Sequence, residues 1–295
     1  MSKRTDGKVG PWAKEKLDAL RQYLSFYTTV LKKQGRWLKG TIFVDAFAGP
    51  GSSPIRSKAK SDLPSFFEQP EEQIEFVNGS PRVALDIDTP FSAYVFIEKS
   101  AKRITELKAL KEEYGTTRDI TVVEGDANKA LMDWLSSGID WKKHRAVVFI
   151  DPFGMQVAWS TIEALAATGA IEVIINFPLD MAIQRLLKKS GDIPESWQKS
   201  LDTSFGSTEW RNLVYEETED LFGAKTQKKA DSGFRLLGWY SERLKKAFGH
   251  VSSPRMIKNT RGLPLYYLIW AGPHPKGLDG AEHILSKGEK LKGKK

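Results

Sequence analysis

The run Thr41-Ile-Phe-Val-Asp45-Ala-Phe-Ala-Gly49-Pro-Gly51 constrains this chain more than any other stretch. Three apolar residues make a buried strand, an acid ends it, and two glycines one residue apart leave the next turn bare. Glycine suits such a turn because a Cβ would block positive φ and the close approach of a ligand. A strand emptying into a glycine loop is where doubly wound α/β sheets hold nucleotide-like ligands. The pattern then repeats. Glu98 ends Tyr94-Val-Phe-Ile-Glu98, Asp126 follows a third strand in Glu124-Gly-Asp126-Ala127, and Asp151-Pro-Phe-Gly154 follows Ala146-Val-Val-Phe-Ile150.

Apolar runs over 41–47, 93–97, 120–124, 146–150 and 171–177 read as strands. Helical patterns lie between them at 81–88, 100–113, 127–136 and 159–168. An amphipathic helix over 12–33 precedes them, with Ala13, Leu17, Leu20, Leu24, Tyr27 and Leu31 at helical spacing. Alternating strands and helices call for a mostly parallel sheet with right-handed crossovers. Asn78-Gly-Ser80-Pro81 reads as a helix start, with Ser80 as N-cap and Pro81 at the first helical position. Residues 52–78 are surplus to a βαβ unit and form an inserted loop, either a lid over the ligand site or a disordered stretch. After residue 178, helices over 179–189, 208–222 and 232–248 precede a last strand pair near 254–259 and 264–271.

The organisation that follows is a basic helical segment over 1–40, a core over 41–179 and 251–275, a helical insertion over 180–250 and a basic tail over 276–295. The fold class expected is α/β and Rossmann-like: a mostly parallel seven-stranded sheet, helices on both faces, and a helical insertion before the last two strands.

The net charge of +8 is uneven, with +7 over 1–40, −6 over 41–179, +4 over 180–261 and +3 over 262–295. Basic flanks around an acidic middle suit a phosphate-bearing partner, DNA or RNA; the alternative is solvated lysine faces and a frayed tail. No apolar run reaches the length of a membrane span, and Met-Ser-Lys-Arg-Thr-Asp is not a secretion signal, so a cytoplasmic protein without membrane attachment is expected. Cysteine is absent, which excludes disulfides, thiolate metal sites and a Cys nucleophile such as cytosine C5 methylation requires. The four histidines show no paired ligand spacing, and no protein-bound metal is expected.

The strand-end residues suggest a ligand. A carboxylate at Glu98 accepts from the two hydroxyls of a ribose. Asp126 accepts from an adenine amino group, and the amide of Ala127 serves the ring nitrogen. Asp45, with Phe47, Gly49, Gly51 and Ser80 about it, faces the other end, where a carboxylate suits a cationic amino group and repels a pyrophosphate. The cofactor expected is therefore S-adenosylmethionine rather than NAD. Each residue also has a purely structural reading: Glu98 pairing with Lys99 or Lys102, and Asp126 capping the helix from Ala127. At the fourth strand tip, Asp151 and the Pro152 carbonyl accept from an exocyclic amino group, and Phe153 stacks on the ring, as aromatics do on extruded bases. The alternative is an Asp-Pro turn over a buried Phe. Asn176, in Asn176-Phe-Pro178, replaces or assists Asp151, or is an ordinary strand exit.

The chain resembles the three-Cys-motif partner (TcmP) family over nearly its whole length. The resemblance is carried by Trp12 to Lys16-Leu17, Asp45-Ala-Phe-Ala-Gly49, Gly79-Ser80, Phe96-Ile-Glu98, Gly125-Asp-Ala-Asn128, Phe149-Ile-Asp-Pro-Phe-Gly154, Trp159, Asn176-Phe-Pro178, Arg185-Leu-Leu187, Phe205-Gly206 and Trp210. It implies a Rossmann-like S-adenosylmethionine-dependent methyltransferase core and a partner protein bearing three cysteines. Asp151-Pro-Phe-Gly154 also looks like the Asp-Pro-Pro-aromatic motif of methylases of the adenine amino group, departing from it by one Pro and a trailing Gly. The function expected is methyl transfer to a nitrogen of a nucleic-acid base, adenine favoured. The alternative is a cofactor- or nucleotide-binding partner subunit without turnover of its own.

Overall fold

The computed structural model describes residues 11–34, 37–49, 79–220, 223–259, 261–285 and 289–290. Helix α1 (Pro11–Lys32) leads into β1 (Gly40–Asp45). There follow α2 (Ser80–Leu85), β2 (Ala93–Glu98), α3 (Ala101–Tyr114), β3 (Ile120–Glu124), α4 (Ala127–Leu135), β4 (His144–Ile150), α5 (Trp159–Ala167) and β5 (Ile171–Phe177). Strands β1 to β5 are all parallel where they pair. A π-helical turn, Leu179–Ile183, runs on into Gln184–Leu186, then α6 (Glu195–Phe205), α7 (Trp210–Val214), β6 (Tyr215–Asp220), β7 (Gly223–Lys228) and α8 (Ser232–Phe248). The chain closes with β8 (His250–Val251), β9 (Arg255–Lys258), β10 (Pro264–Gly272), α9 (Pro275–Leu285) and β11 (Glu289–Lys290).

The sheet order is β11-β9-β10-β5-β4-β1-β2-β3, with β8 also paired to β10. β10 lies antiparallel between β5 and β9, a hairpin closing one edge of an otherwise parallel sheet. This is the Rossmann-like, mostly parallel architecture expected from the sequence. The sheet has nine strands rather than seven, because two two-residue strands, β8 and β11, extend it.

Alternation along each strand divides the core in two. Ile42, Val44, Val95, Ile97, Val148, Ile150, Val173 and Ile175 face α4, α5, α6 and α8. Phe43, Tyr94, Phe96, Val147, Phe149, Ile174, Tyr266, Leu268 and Trp270 face α1, α2, α3 and α9. β1 pairs with β2 on one side and β4 on the other, so the chain's direction of winding reverses between β1 and β4. The crevice at that reversal, outside the carboxyl ends of the strands, is where sheets of this kind bind ligands.

Several local expectations change. The buried stripe of α1 is Lys16, Ala19, Leu20, Tyr23, Leu24 and Tyr27, with Leu17 and Leu31 only partly covered. The face is rotated from the expected one because Tyr23 packs against Trp270. Ser80 is the first helical residue of α2 and Gly79 the cap, with Pro81 in the first turn. Residues 215–220, expected as helix, form β6, which pairs antiparallel with β7 and sets Thr218 opposite Lys225 and Tyr215 opposite Lys228. Glutamates favour helix by propensity, but the cross-strand pairing overrides it. The 180–250 segment is thus helical with a hairpin set in it. Part of the expected basic tail is α9, whose Gly277, Gly280 and Ala281 are buried. Gly51 and the 52–78 loop lie outside the described residues, as do Lys287, Lys292, Lys294 and Lys295.

Candidate active site

Strand parity sets the site. Asp45, Glu98 and Asn176 occupy positions two residues beyond Phe43, Phe96 and Ile174, so they lie on the α1 face of the sheet. Asp151 does the same one residue past the end of β4, two beyond Phe149. All four are buried.

Asp45 is fully buried at the tip of β1. Its Oδ1 accepts from the Phe47 amide at 3.1 Å, and the Ser80 hydroxyl lies beside the carboxyl. Oδ2 is buried with no hydrogen-bond partner among the described residues. Burial pushes this carboxyl up to about 7, with Asp151 pushing the same way and Ser80, the Phe47 amide and Lys16 opposing. Gly49 turns the following loop at φ 63°, the left-handed conformation expected of it.

The loop and the next two strand tips are stitched together. The Gly49 amide donates to Glu98 Oε2 at 3.1 Å, and the Gly125 amide donates to the Glu98 carbonyl at 2.9 Å. The Gly49 turn, Glu98 and Gly125, next to Asp126, therefore form one hydrogen-bonded rim. Glu98 Oε1 accepts from the amides of Lys99 and Ser100 at 2.9 and 2.8 Å. The cation near Glu98 is Arg103, at 3.6 Å, rather than Lys99 or Lys102. Three amides already use most of the carboxylate's acceptor capacity, leaving room for one ribose hydroxyl rather than two. Asp126 is exposed and caps α4, its Oδ1 accepting from the amides of Asn128 and Lys129 at 3.0 and 3.2 Å. The capping reading of Asp126 is realised, and Ala127 opens the helix, buried beside it.

At β4 and β5 the sequence-predicted residues meet a partner that the motif search missed. Lys16, wholly buried on α1, ion-pairs with Asp151 Oδ2. Asn176 Nδ2 donates to Asp151 Oδ1 at 2.5 Å, and Asn176 Oδ1 is buried without a partner among the described residues. Both oxygens of Asp151 are thus engaged by the chain itself. Burial pulls Lys16 down to about 8, against the attraction of Asp151 and Asp45. The signal for Lys16 was present: a lysine four residues before Leu20 and seven before Tyr23 sits on the apolar stripe. Pro152 is buried and Phe153 half-buried, with the Arg103 guanidinium 5.7 Å from the Phe153 ring. Arg103 so links the Glu98 carboxylate to the aromatic side of the site. Asn128 clips the motif in place: its Nδ2 donates to the Gln156 carbonyl at 2.8 Å, and its Oδ1 accepts from the Ala158 amide at 2.8 Å and the Thr161 hydroxyl at 2.9 Å.

Another buried acid lies at the opposite, amino-terminal end of the parallel strands. Glu172, near the start of β5, accepts from the Tyr23 hydroxyl at 2.5 Å and Trp270 Nε1 at 3.2 Å. Burial pushes it up to about 7. Its distance from the strand tips makes it a fastening of α1 to the sheet.

Comparison with known proteins gives little beyond the fold. No family model matches the chain, and no curated protein matches it. Among solved structures it is similar to LPL1258 of Legionella pneumophila str. Philadelphia 1, at 11% identity and a TM-score of 0.49, covering 95% of this chain and 94% of that one. It is also similar to the putative methyltransferase yhhF from Escherichia coli, at 14% identity and a TM-score of 0.31, covering 78% and 89%. The N-terminal domain of EvdMO1 with SAH bound is similar at 9% identity and a TM-score of 0.34, covering 85% and 81%. All three scores are low, and none of these likenesses bears on the chain's activity.

Proposed function

We propose that the chain is an S-adenosylmethionine-dependent methyltransferase acting on a nitrogen of a nucleic-acid base, the amino group of adenine favoured. One observation carries the reading. Two buried acceptors without partners among the described residues, Asp45 Oδ2 and Asn176 Oδ1, flank the point where the sheet reverses. Leaving such atoms unmet costs about 1–3 kcal/mol each, so they fit a ligand that brings donors.

The donor set suits the cofactor. A carboxyl raised by burial is lowered again by a cation, which matches Asp45 to a ligand ammonium. The left-handed Gly49 turn lets backbone approach closely, and Glu98 and Asp126 stand on the same rim for an adenosine. S-adenosylmethionine supplies, when bound, a methyl group on a sulfonium. On the other side of the crevice, Asn176 Oδ1 would accept from a base amino group with help from the Pro152 carbonyl, and Phe153 would offer a ring to stack on. Orienting the amino group and excluding water are what these side chains contribute, since such a transfer needs little acid–base help.

Purified protein incubated with methyl-labelled S-adenosylmethionine and single-stranded DNA or RNA should yield methylated adenine nucleoside by mass spectrometry. Labelled cofactor bound with no label in any nucleoside sinks the proposal. That outcome would favour a second reading, a cofactor-binding subunit of a three-Cys-motif protein. The engagement of both Asp151 oxygens within the chain is the observation on its side.

A further inference from the structure

Lys16 has no part in the transfer as set out above, yet its position is costly. The ammonium is wholly buried on α1, 5.6 Å from the Phe149 ring centroid and 5.8 Å from that of Tyr266. Taking a charge so far from water costs several kcal/mol, and a leucine or methionine would fill the same stripe without that cost. The charge therefore has work at this spot, and its neighbours show what it is. Lys16 takes Asp151 Oδ2, and Asp151 Oδ1 accepts from the Asn176 NH2, which turns the carboxamide oxygen the other way. That oxygen is the atom left buried and unmatched.

Building on the proposed methyl transfer, we infer that Lys16 is a positioning residue: through Asp151 it fixes the Asn176 carboxamide with its oxygen toward the substrate, and so selects a neutral aromatic amine over a protonated alkylamine. A free Asp151 carboxylate would attract a protonated amine. Paired with Lys16 it presents no net charge, and the acceptor offered is a neutral amide. Among the described residues, the charged and titratable groups facing Lys16 include Asp151 from the end of β4, Asp45 from β1 and the Tyr266 phenol from β10. Tyr266 stays protonated, because burial raises it well above the ordinary phenol range. Lys16 is the group that loses its charge as pH rises through about 8.

The test compares wild type, Lys16→Arg and Lys16→Met. It measures methyl transfer to a short adenine-containing single strand and to a lysine-bearing peptide, with S-adenosylhomocysteine affinity by calorimetry. Wild type should methylate the oligonucleotide and not the peptide, with a rate that falls as pH passes about 8. Lys16→Arg, charged throughout, should keep most of the rate and lose the alkaline fall. Lys16→Met should lose at least about tenfold in kcat, with KM and S-adenosylhomocysteine affinity changed by less than about threefold. An alkaline limb unmoved in Lys16→Arg, a Lys16→Met variant as fast as wild type, or equal transfer to the peptide overturns the inference alone. Wild type that binds S-adenosylhomocysteine yet methylates neither acceptor overturns the methyl-transfer reading, and the inference with it.

Discussion

Asp45 and Glu172 are both carboxyls raised to about 7 by burial, and they should report on different processes. Glu172 is fastened to Tyr23 and Trp270, away from the strand tips, so its titration acts on stability. Its folded value lies above the ordinary 4.5, so the native state binds the extra proton between about pH 4.5 and 7. Stability should then fall as pH rises through that window, by an amount on the order of 3 kcal/mol. Chemical denaturation across pH should show this slope, and Glu172→Gln should make it shallower; a variant with the wild-type slope would contradict the assignment. Asp45, raised the same way, adds a slope of the same sign and also acts on binding. As it ionises on passing about pH 7, calorimetry should show S-adenosylhomocysteine binding tighten, and Asp45→Asn should weaken binding at pH 8 and erase the pH dependence. Asp126→Ala should cost about 1 kcal/mol of stability, read by thermal melting, since the cap on α4 is lost whatever else the residue binds.

Among the elements, α1 and α9 show how tight the packing is on the site's side of the sheet. A Cβ on Gly280 would stand 2.1 Å from Phe26 Cε1, and one on Gly277 would stand 2.6 Å from the Trp270 ring and 2.7 Å from Glu172 Oε1. The two helices approach closely only because these positions carry no side chain. Gly280→Leu should therefore destabilise by about 1–3 kcal/mol in denaturant titrations, whereas Gly138→Ala meets nothing and is strained only by its φ of 83°. The five parallel strands and the acidic ends of the first four were legible in the sequence, because apolar runs bounded by turn residues report directly on a buried sheet. β6 was not, since a run of glutamates says helix until its partner strand is known. Nor was α8's neighbour α6, where Trp197, Leu201 and Phe205 supply a sparse stripe. The partner of Lys16 was not legible for a related reason: Asp151 lies 135 residues away.

For the molecule as a whole, the sheet's reversal between β1 and β4 decides where chemistry can occur, and period-two alternation decides which face it uses. Those two rules brought Asp45, Glu98, Asp151 and Asn176 to one side, a result that spacing along the sequence implied but could not orient. Sequence reading also could not show that Asp151 is already satisfied, because that depends on a helix packed against the finished sheet. The net charge of +8 supports a further expectation at this scale. Binding of a single-stranded oligonucleotide should weaken steeply with added salt, as counterion release requires, and filter binding at two ionic strengths would test it.

The Lys16–Asp151 pair couples the two ends of the folding process. Helix α1 precedes β4 along the chain, and its ammonium lacks the carboxylate it ion-pairs with until β4 has been synthesised and laid beside β1. A contact so distant along the chain closes late, so a nascent chain can hold much of its sheet while the pocket is still open, and competence should arrive only with the last step of assembly.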